Sequence, residues 1–564
     1  MKKVFVGHRG VGKTELLQRH KMCFPDIAHF DLDHEIENAL SKSVTEIFTE
    51  KGEDFFRQTE IQTYKKLITE NASYVISLGA GFNLDEIANS DHIVFVSRVT
   101  DKHGRIFQNR PRLTAGSALQ EYETKYTERQ PKYLSKAHSV YHIPEGTQVE
   151  CDFEKNILSE NFHISDAIYT LTKNEVKNVH SLKKSFARIE LRSDLIAMSE
   201  IHKLVQEDPK YRWLVSIRTA ELPPPGVIDV DFDIQFKPAN FEGIVSSHED
   251  SIEKALDAVK SIERSHLKVS PLVENFDDLL IGHNWQQQDP SNRSFLPRSL
   301  IGKWLWYRQL AKYWQEINFV RGLTNLSDQP SVYQWLTLPL KKPDFFAAVL
   351  GKPVLFSRSP QFHQKFFAQK NSFFTAIEIS ETEFSNYHSY LSNFGLKYAA
   401  VTSPLKKIAF LIADKQTALA EHFHSANTIV FDDEIYAENT DLHGFESVID
   451  SQAITEQIKI AVWGGGGTLE MMKFILPQAQ FFPARTYTAA TNSFKPDVVI
   501  WAAPRLSDTL FPPESWQPRA VLDLNYLENS MGLEYAQKKN CSYVSGLGMF
   551  KAQALEQQKY WSLR

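Results

Sequence analysis

Residues Gly7-His8-Arg9-Gly10-Val11-Gly12-Lys13-Thr14 fit the pattern G-x-x-x-x-G-K-[ST] at every fixed position. The apolar run Val4-Phe5-Val6 precedes them and a helical pattern follows. Such a turn works only where a buried strand hands over to a helix. Its backbone N–H groups and the helix N-terminus must converge on phosphate oxygens. Gly7, Gly10 and Gly12 allow that convergence, Lys13 reaches the terminal phosphates, and the Thr14 hydroxyl suits Mg²⁺. ATP and Mg²⁺ are therefore the expected ligands. A second glycine-rich turn, Gly464-Gly465-Gly466-Gly467-Thr468, lies between the strand pattern Ile458–Trp463 and the helical pattern Leu469–Ile475. Alone it fits either a pyrophosphate-binding turn or a plain loop. Arg485 lies about 20 residues further on, where an acid marks NAD and an arginine suits the 2′-phosphate of NADP. NADPH is the expected second cofactor.

Two nucleotide sites at opposite ends call for several domains, and the length of 564 residues suits three or four. The net charge of −6 gives no basic surface for nucleic acid. No apolar run approaches the roughly 18 residues of a membrane span. Only Val4-Phe5-Val6 separates the opening Met1-Lys2-Lys3 from Gly7, too little for a secretory signal. Cys23, Cys151 and Cys541 are too few and too scattered for a disulfide framework or a zinc site. A reducing, cytoplasmic location and small-molecule substrates are expected. The polar, lysine-rich stretch Leu171–Lys184 reads as a linker, and Lys341-Lys342-Pro343 marks a second break. These breaks predict units at 1–172, 183–340 and 344–564, the last with lobes 344–445 and 446–564. The aromatic stretch Trp304–Trp314 predicts a packed helix.

Downstream of the first glycine turn come Asp31-Leu32-Asp33, Phe56-Arg57, Glu60, Gly79-Ala80-Gly81, Arg110-Pro111 and Arg129-Gln130-Pro131-x-Tyr133. In this order the segment resembles shikimate kinase. The resemblance implies that Asp31 supports the Mg²⁺ site and Asp33 contacts the substrate hydroxyl. It implies that Arg57 and Arg129 hold the shikimate carboxylate, for which the guanidinium fork is suited. Gly79 and Gly81 would give close approach to the ligand, and Arg110 would cover the ATP phosphates. Ala80 stands where that family usually has glycine.

The last third carries Ser357-Arg358-Ser359-Pro360, Val401-Thr402-Ser403-Pro404-Leu405-Lys406, Ser425-Ala426-Asn427-Thr428, Asn439-Thr440-Asp441 and Gly546-x-Gly548-Met549-x-x-x-Gln553. This set resembles shikimate dehydrogenase, with a Rossmann lobe for NADP. The resemblance implies that Ser357, Ser359, Thr402, Asn427 and Gln553 contact substrate. Lys406 and Asp441 would be the catalytic pair, a lysine moving a proton while hydride moves at the adjacent carbon. Gly464, Gly465, Gly466, Gly467 and Arg485 would hold NADP. Ala399-Ala400 and the Gly467-Thr468 ending depart from the usual pattern without removing a charged group.

The middle segment presents Ile189-Glu190-Leu191-Arg192, Val215-Ser216-Ile217-Arg218-Thr219, Asp229-Val230-Asp231, Ile244–His248 and His266-Leu267-Lys268-Val269. It resembles type I 3-dehydroquinate dehydratase, a (β/α)8 barrel. The resemblance implies that Lys268 forms a Schiff base with the substrate ketone and His248 moves protons. An iminium is a better electron sink than a ketone, so the α-proton leaves more easily. Glu190, Arg192 and Arg218 would orient the pair and the substrate. Arg298 or Arg308 would clamp a carboxylate, and Gln329 would line the pocket. The family's R-T-x-x-E-G-G becomes Arg218-Thr219-Ala220-Glu221-Leu222-Pro223 here, and 183–340 is shorter than the roughly 200 residues of a full barrel. A reduced barrel lacking one or two outer helices is expected.

The expected fold class is therefore multidomain α/β: a P-loop kinase sheet, a reduced barrel and a two-lobed dehydrogenase. The domain order resembles the last three domains of the pentafunctional arom polypeptide, which implies a trifunctional enzyme of chorismate biosynthesis. One alternative is a kinase and dehydrogenase joined by an inert barrel. Another is a non-enzymatic metabolite sensor akin to quinate repressors, which would be expected to lose the catalytic groups that Lys13, Asp33, Lys406 and Asp441 supply here.

Overall fold

The computed structural model describes residues 1–107, 116–142, 162–263, 265–322, 328–355, 357–451, 457–465, 468–487 and 494–564. Four sheets organise the chain. The first is wholly parallel, with strands in the order Ala28–Asp31, Tyr74–Ser77, Lys2–Val6, His92–Ser97 and Ser139–His142. Val4-Phe5-Val6 is central and buried, as an apolar run without alternation requires when helices cover both faces. The chain leaves this strand through the glycine turn and enters the helix Lys13–Cys23. Gly10 (φ 70°) and Gly12 (φ 101°) adopt left-handed conformations that side chains resist.

The second sheet has eight parallel strands: Ile168–Leu171, Ile189–Arg192, Trp213–Ile217, Asp229–Asp233, Ile244–Ser247, His266–Val269, Arg293–Phe295 and Phe319–Arg321. Each pairs with the next up to Arg293–Phe295, and the last pairs back onto the first. That is the connectivity of a (β/α)8 barrel. The reduction lies in the outer layer, because residues 218–228 and 234–243 hold no helix. The sheet also moves a boundary. Ile168–Leu171, read in sequence as the end of the first unit, is the first barrel strand. The expected linker folds as a 3-10 turn at Lys173–Asn178 and a helix at Val179–Ser185. Val176, Val179 and Leu182 pack against the barrel core, and Lys183 lies over the Tyr211 and Trp213 rings and pairs with Asp208.

The third sheet is mixed, with strands in the order Phe374–Glu378, Phe346–Gly351, Leu396–Val401, Thr428–Phe431, Ile435–Glu438 and Lys415–Gln416. The fourth is parallel: Gln480–Phe482, Ile460–Gly464, Val498–Ala502, Ala520–Asp523 and Ser542–Val544. The final helix, Leu547–Ser562, bridges both lobes: Met549 near its start joins the fourth-sheet core, and its other end packs on the third-sheet lobe. Trp561 is buried there against Phe367, Phe374 and Tyr398.

The aromatic stretch forms the helix Leu305–Leu310 and a 3-10 turn, Ala311–Tyr313, with Trp304, Trp306 and Tyr307 fully buried. It joins two units into one core. Trp306 stacks on Phe346 of the third sheet (6.5 Å), and Phe276 stacks on Tyr387 (5.5 Å). Full burial of a Phe contributes roughly 1.5–3 kcal/mol, so the barrel and the neighbouring lobe support each other. No helix among the described residues is long and apolar enough to cross a membrane.

Candidate functional site

Three clusters of the sequence-predicted residues form, at the glycine turn, in the barrel and in the third sheet. At the first glycine turn, Lys13 Nζ donates to the carbonyls of Gly7 (3.0 Å) and His8 (3.1 Å). Burial lowers its pKa to about 8, so the amine stays mostly charged at neutral pH. Thr14 Oγ1 donates to Asp31 Oδ2 at 2.6 Å. Asp31 ends the strand Ala28–Asp31, and Asp33 enters the first turn of the helix Leu32–Leu40.

Gly79 and Gly81 face this pair closely. A Cβ on Gly79 would lie 2.6 Å from Glu60 Oε1 and 3.0 Å from Asp33 Oδ1, and one on Gly81 would collide with the Arg57 guanidinium. Arg57 donates to Glu60 (2.6 Å) and Glu53 (2.9 Å). Burial raises the Glu60 pKa to about 7 despite Arg57 beside it. Arg129 acts electrostatically on both Lys13 and Tyr133. Tyr133 belongs to this cluster as well. Its hydroxyl donates to Ala80 O (2.6 Å) and Gly7 O (3.2 Å), tying the glycine turn to the Gly79–Gly81 loop. Arg110 lies outside the described residues.

In the barrel, the polar residues gather at the C-terminal ends of the strands, where barrel sites form. Asp231 is fully buried. Its Oδ2 accepts from Lys268 Nζ and from Arg218 Nη2 (2.5 Å). Burial opposes its charge, but Arg218 and Lys268 outweigh that and hold the carboxyl far below the usual range. Burial lowers the Lys268 pKa, with Asp231 opposing and Arg218 assisting.

Glu190 accepts from Ser216 Oγ (2.7 Å) and Thr170 Oγ1 (2.8 Å), and Gln329 reaches Thr170. His248 Nδ1 lies 2.8 Å from Asp233 Oδ2, and burial brings its pKa to about 4, leaving a neutral imidazole. Of the two candidate clamps, Arg298 donates to the carbonyls of Ser270 (2.6 Å) and His248 (2.8 Å), while Arg308 is buried with its pKa lowered to about 10. Arg192 pairs with Asp194 at 2.7 Å. Sequence reasoning gave Asp231 and Asp233 no role. The signal was present, since Asp229, Asp231 and Asp233 alternate and share one face of a strand.

In the third sheet, Lys406 Nζ meets Asp441 Oδ2 at 2.5 Å. Asn427 Nδ2 donates to Asp441 Oδ1 (2.8 Å), and the Thr440 N–H returns a bond to Asn427 Oδ1 (2.9 Å). The carboxylate is thus fixed from both oxygens, and it is almost fully buried. Ser357 Oγ donates to Ser359 Oγ (3.2 Å) at the start of the helix Ser359–Ala368. Thr402 packs against Gly351, and Gln553 faces Gly444, one helical turn beyond Asp441. Gln557, which the sequence reading did not single out, donates to Asn427 O at 2.9 Å.

Gly464 (φ 94°) and Gly465 (φ 139°) form the second glycine turn. A Cβ on Gly464 would press on the Ala503 backbone at 2.9 Å. Thr468 Oγ1 closes it by donating to Gly465 O at 2.8 Å. Arg485 follows the strand Gln480–Phe482, is half-exposed and pairs with Asp508 at 3.4 Å. Gly466 and Gly467 lie outside the described residues.

Comparison with known proteins matches both ends. The shikimate kinase family matches residues 9–159, and the shikimate dehydrogenase substrate binding domain matches residues 349–429. The chain carries a shikimate kinase domain at its N-terminal end and a shikimate dehydrogenase domain at its C-terminal end. The kinase domain is similar to shikimate kinase of Flavobacterium psychrophilum, 46% identical over 84 residues, which is 14% of this chain and 47% of that protein. It is also similar to shikimate kinase of Dictyoglomus turgidum, 29% identical over 161 residues, 27% of this chain and 92% of that one. The dehydrogenase domain is similar to shikimate dehydrogenase (NADP(+)) of Acinetobacter baumannii, 26% identical over 251 residues, 38% of this chain and 94% of that one. The chain thus spans about half the length of the first relative and nearly all of the other two.

Proposed function

We propose that the chain is a trifunctional enzyme that dehydrates 3-dehydroquinate, reduces 3-dehydroshikimate to shikimate with NADPH, and phosphorylates shikimate with ATP. One observation carries the reading: each expected lysine is held in its own polar cluster. Lys13 is held by the Gly7 and His8 carbonyls, Lys268 by Asp231 and Lys406 by Asp441.

In the kinase domain, ATP supplies the phosphoryl group when bound. The Thr14 hydroxyl and the Asp31 carboxylate are oxygen donors that fit Mg²⁺, which takes one or two protein ligands and keeps phosphate oxygens and water for the rest. Arg57 and Arg129 hold the substrate carboxylate, and Asp33 accepts the proton of the attacking hydroxyl. In the dehydrogenase domain, NADPH supplies hydride when bound; the left-handed Gly464 and Gly465 give its pyrophosphate a side-chain-free cradle. Lys406 delivers the proton to the carbonyl oxygen as it becomes a hydroxyl. Asp441, locked by Asn427, keeps the amine aimed.

In the barrel, the neutral Lys268 amine adds to the ketone and water leaves as the iminium forms. His248 takes the α-proton and returns it to the β-hydroxyl, which departs as water, and hydrolysis of the product iminium returns the amine. Borohydride added with 3-dehydroquinate tests this step. An adduct on Lys268 by peptide mass, with dehydroshikimate in the untreated control, is expected. A second reading has its own observation. Two outer helices of the barrel are absent, at residues 218–228 and 234–243, which suits an inert barrel between two working domains. No adduct and no product, from protein that still reduces dehydroshikimate and phosphorylates shikimate, establishes that reading instead.

A further inference from the structure

A carboxylate of the dehydrogenase domain lies against the base of the kinase's phosphate-binding turn. Arg105 of the kinase is almost wholly buried. Its Nη1 donates to the carbonyl of Gly10 in that turn, its Nη2 pairs with Asp101, and its Nε lies 2.7 Å from Glu528 Oε2. Glu528 sits between the strand Ala520–Asp523 and the helix Met531–Lys539, on the cofactor lobe.

The contact extends along the chain. The Ile106 N–H donates to the Glu528 carbonyl (2.8 Å), Gln537 Nε2 donates to the Phe107 carbonyl (2.5 Å), and Asn529 Nδ2 donates to the His103 carbonyl (2.7 Å). The Phe107 ring lies where a Cβ on Gly10 would be. The segment 103–107, which walls the phosphate turn, is therefore held on one side by another domain. The same carboxylate lies within 4 Å of Arg98 (3.5 Å) and of Arg358 (3.8 Å), which stands between Ser357 and Ser359.

We propose that Glu528 is a positioning residue for the kinase's nucleotide site, supplied in cis by the dehydrogenase domain. The inference rests on the kinase reading above. Asp101 alone fixes one edge of Arg105. Glu528 faces the Nε edge as an ion pair at 2.7 Å, without a hydrogen bond along Nε–H, and its charge opposes a swing of the guanidinium away from Gly10. Coupling between sites carried by such a contact spans about 5-fold upward. The serine loop around Arg358 meets the same carboxylate, so the kinase's nucleotide turn and the dehydrogenase's substrate loop share one anchor.

The test is steady-state kinase kinetics on the full chain carrying Glu528→Gln, Glu528→Asp or Gln537→Ala. Thermal unfolding and dehydroshikimate reduction are measured in parallel. Glu528→Gln keeps the size and removes the charge. The expected result is a rise of about five- to tenfold in KM for ATP, with KM for shikimate within about twofold and the melting temperature unchanged. Glu528→Asp, which keeps the charge at shorter reach, should recover part of the loss, and Gln537→Ala should raise the same KM. An ATP KM within twofold of the unaltered chain in Glu528→Gln overturns the proposal. So does a parallel change in both KM values with a lowered melting temperature, which marks a merely structural contact. If the unaltered chain does not phosphorylate shikimate, the kinase reading falls first, and the proposal with it.

Discussion

Replacing Asp231 by Asn tests the electrostatic centre of the barrel. The side chain keeps its shape and loses its charge. Lys268 and Arg218, both buried, then share no counter-ion on that strand. Breaking a buried pair by removing one partner costs about 3–5 kcal/mol. Both cations meet the same oxygen, and Glu190 stays linked to the cluster through Ser216, so the figure is not doubled. For a unit of this size about 2–4 °C accompany each kcal/mol, which puts the fall in the barrel's unfolding transition at about 6–20 °C. The assay is thermal unfolding followed by tryptophan fluorescence, since Trp213, Trp304 and Trp306 are buried in this core. Lys268→Met should cost less, because the Arg218–Asp231 pair survives it. The pH dependence has a fixed sign. The folded carboxyl is depressed, so its stabilisation is present above the unfolded value of about 3.9 and is lost as pH falls below it. Asp231→Asn removes that acid-labile component. It also removes an anion that favours charged Lys268, so borohydride trapping should move to lower pH. A loss below about 1 kcal/mol, or a Lys268→Met variant as damaged as Asp231→Asn, would refute the argument.

Other outcomes follow from the same geometry. Lys406→Ala should lower the kcat for dehydroshikimate reduction by about 10²–10⁴ while shikimate phosphorylation persists; equal loss of both activities would show a folding defect instead. Asp33→Asn should abolish phosphorylation and spare reduction in the same two assays. Arg485→Ala should raise KM for NADPH and leave KM for NADH unchanged, and a native preference for NADH would sink that assignment. Glu60 has a raised folded pKa of about 7, so its contribution to kinase-domain stability is present at low pH and lost as pH rises through 7. Urea unfolding of Glu60→Gln should lack that slope between about pH 4.5 and 7.

The legible parts of the sequence were those whose chemistry is local. The first glycine turn announces itself because strand, left-handed glycines and helix are contiguous. Lys406 and Asp441 are 35 residues apart and meet only through the fold; family motifs, not spacing, pointed to them. Asp231 escaped because a barrel interior inverts the usual pattern, placing polar groups on a strand face that reads as solvent-exposed. Ile168–Leu171 escaped because four apolar residues ahead of a lysine-rich stretch resemble the end of a domain, whereas the last barrel strand, some 150 residues later, is what pairs with them. The final helix escaped for a similar reason: Trp561 finds its pocket in a lobe that the chain had already left.

The shared core bears on why the barrel persists after losing two helices. Its helices do more than close a barrel. Trp306 and Phe276 pack on Phe346 and Tyr387, Lys303 pairs with Glu383 (2.8 Å), and Thr375 donates to Gln309 (2.8 Å). All of these contacts run from the barrel to the third-sheet lobe of the dehydrogenase domain. A chain without the barrel would expose this apolar face of the lobe. Support of the dehydrogenase is therefore sufficient reason to keep the barrel's outer surface, whether or not the interior reacts. It is no reason to keep the interior. A scaffold needs neither a fully buried Lys268–Asp231–Arg218 cluster nor a neutral His248 held on Asp233, since buried ion pairs add little stability over apolar packing of equal volume. Support of the lobe is thus reason enough for the outer surface, and the polar interior is the feature that the proposed dehydratase step explains and a spacer does not.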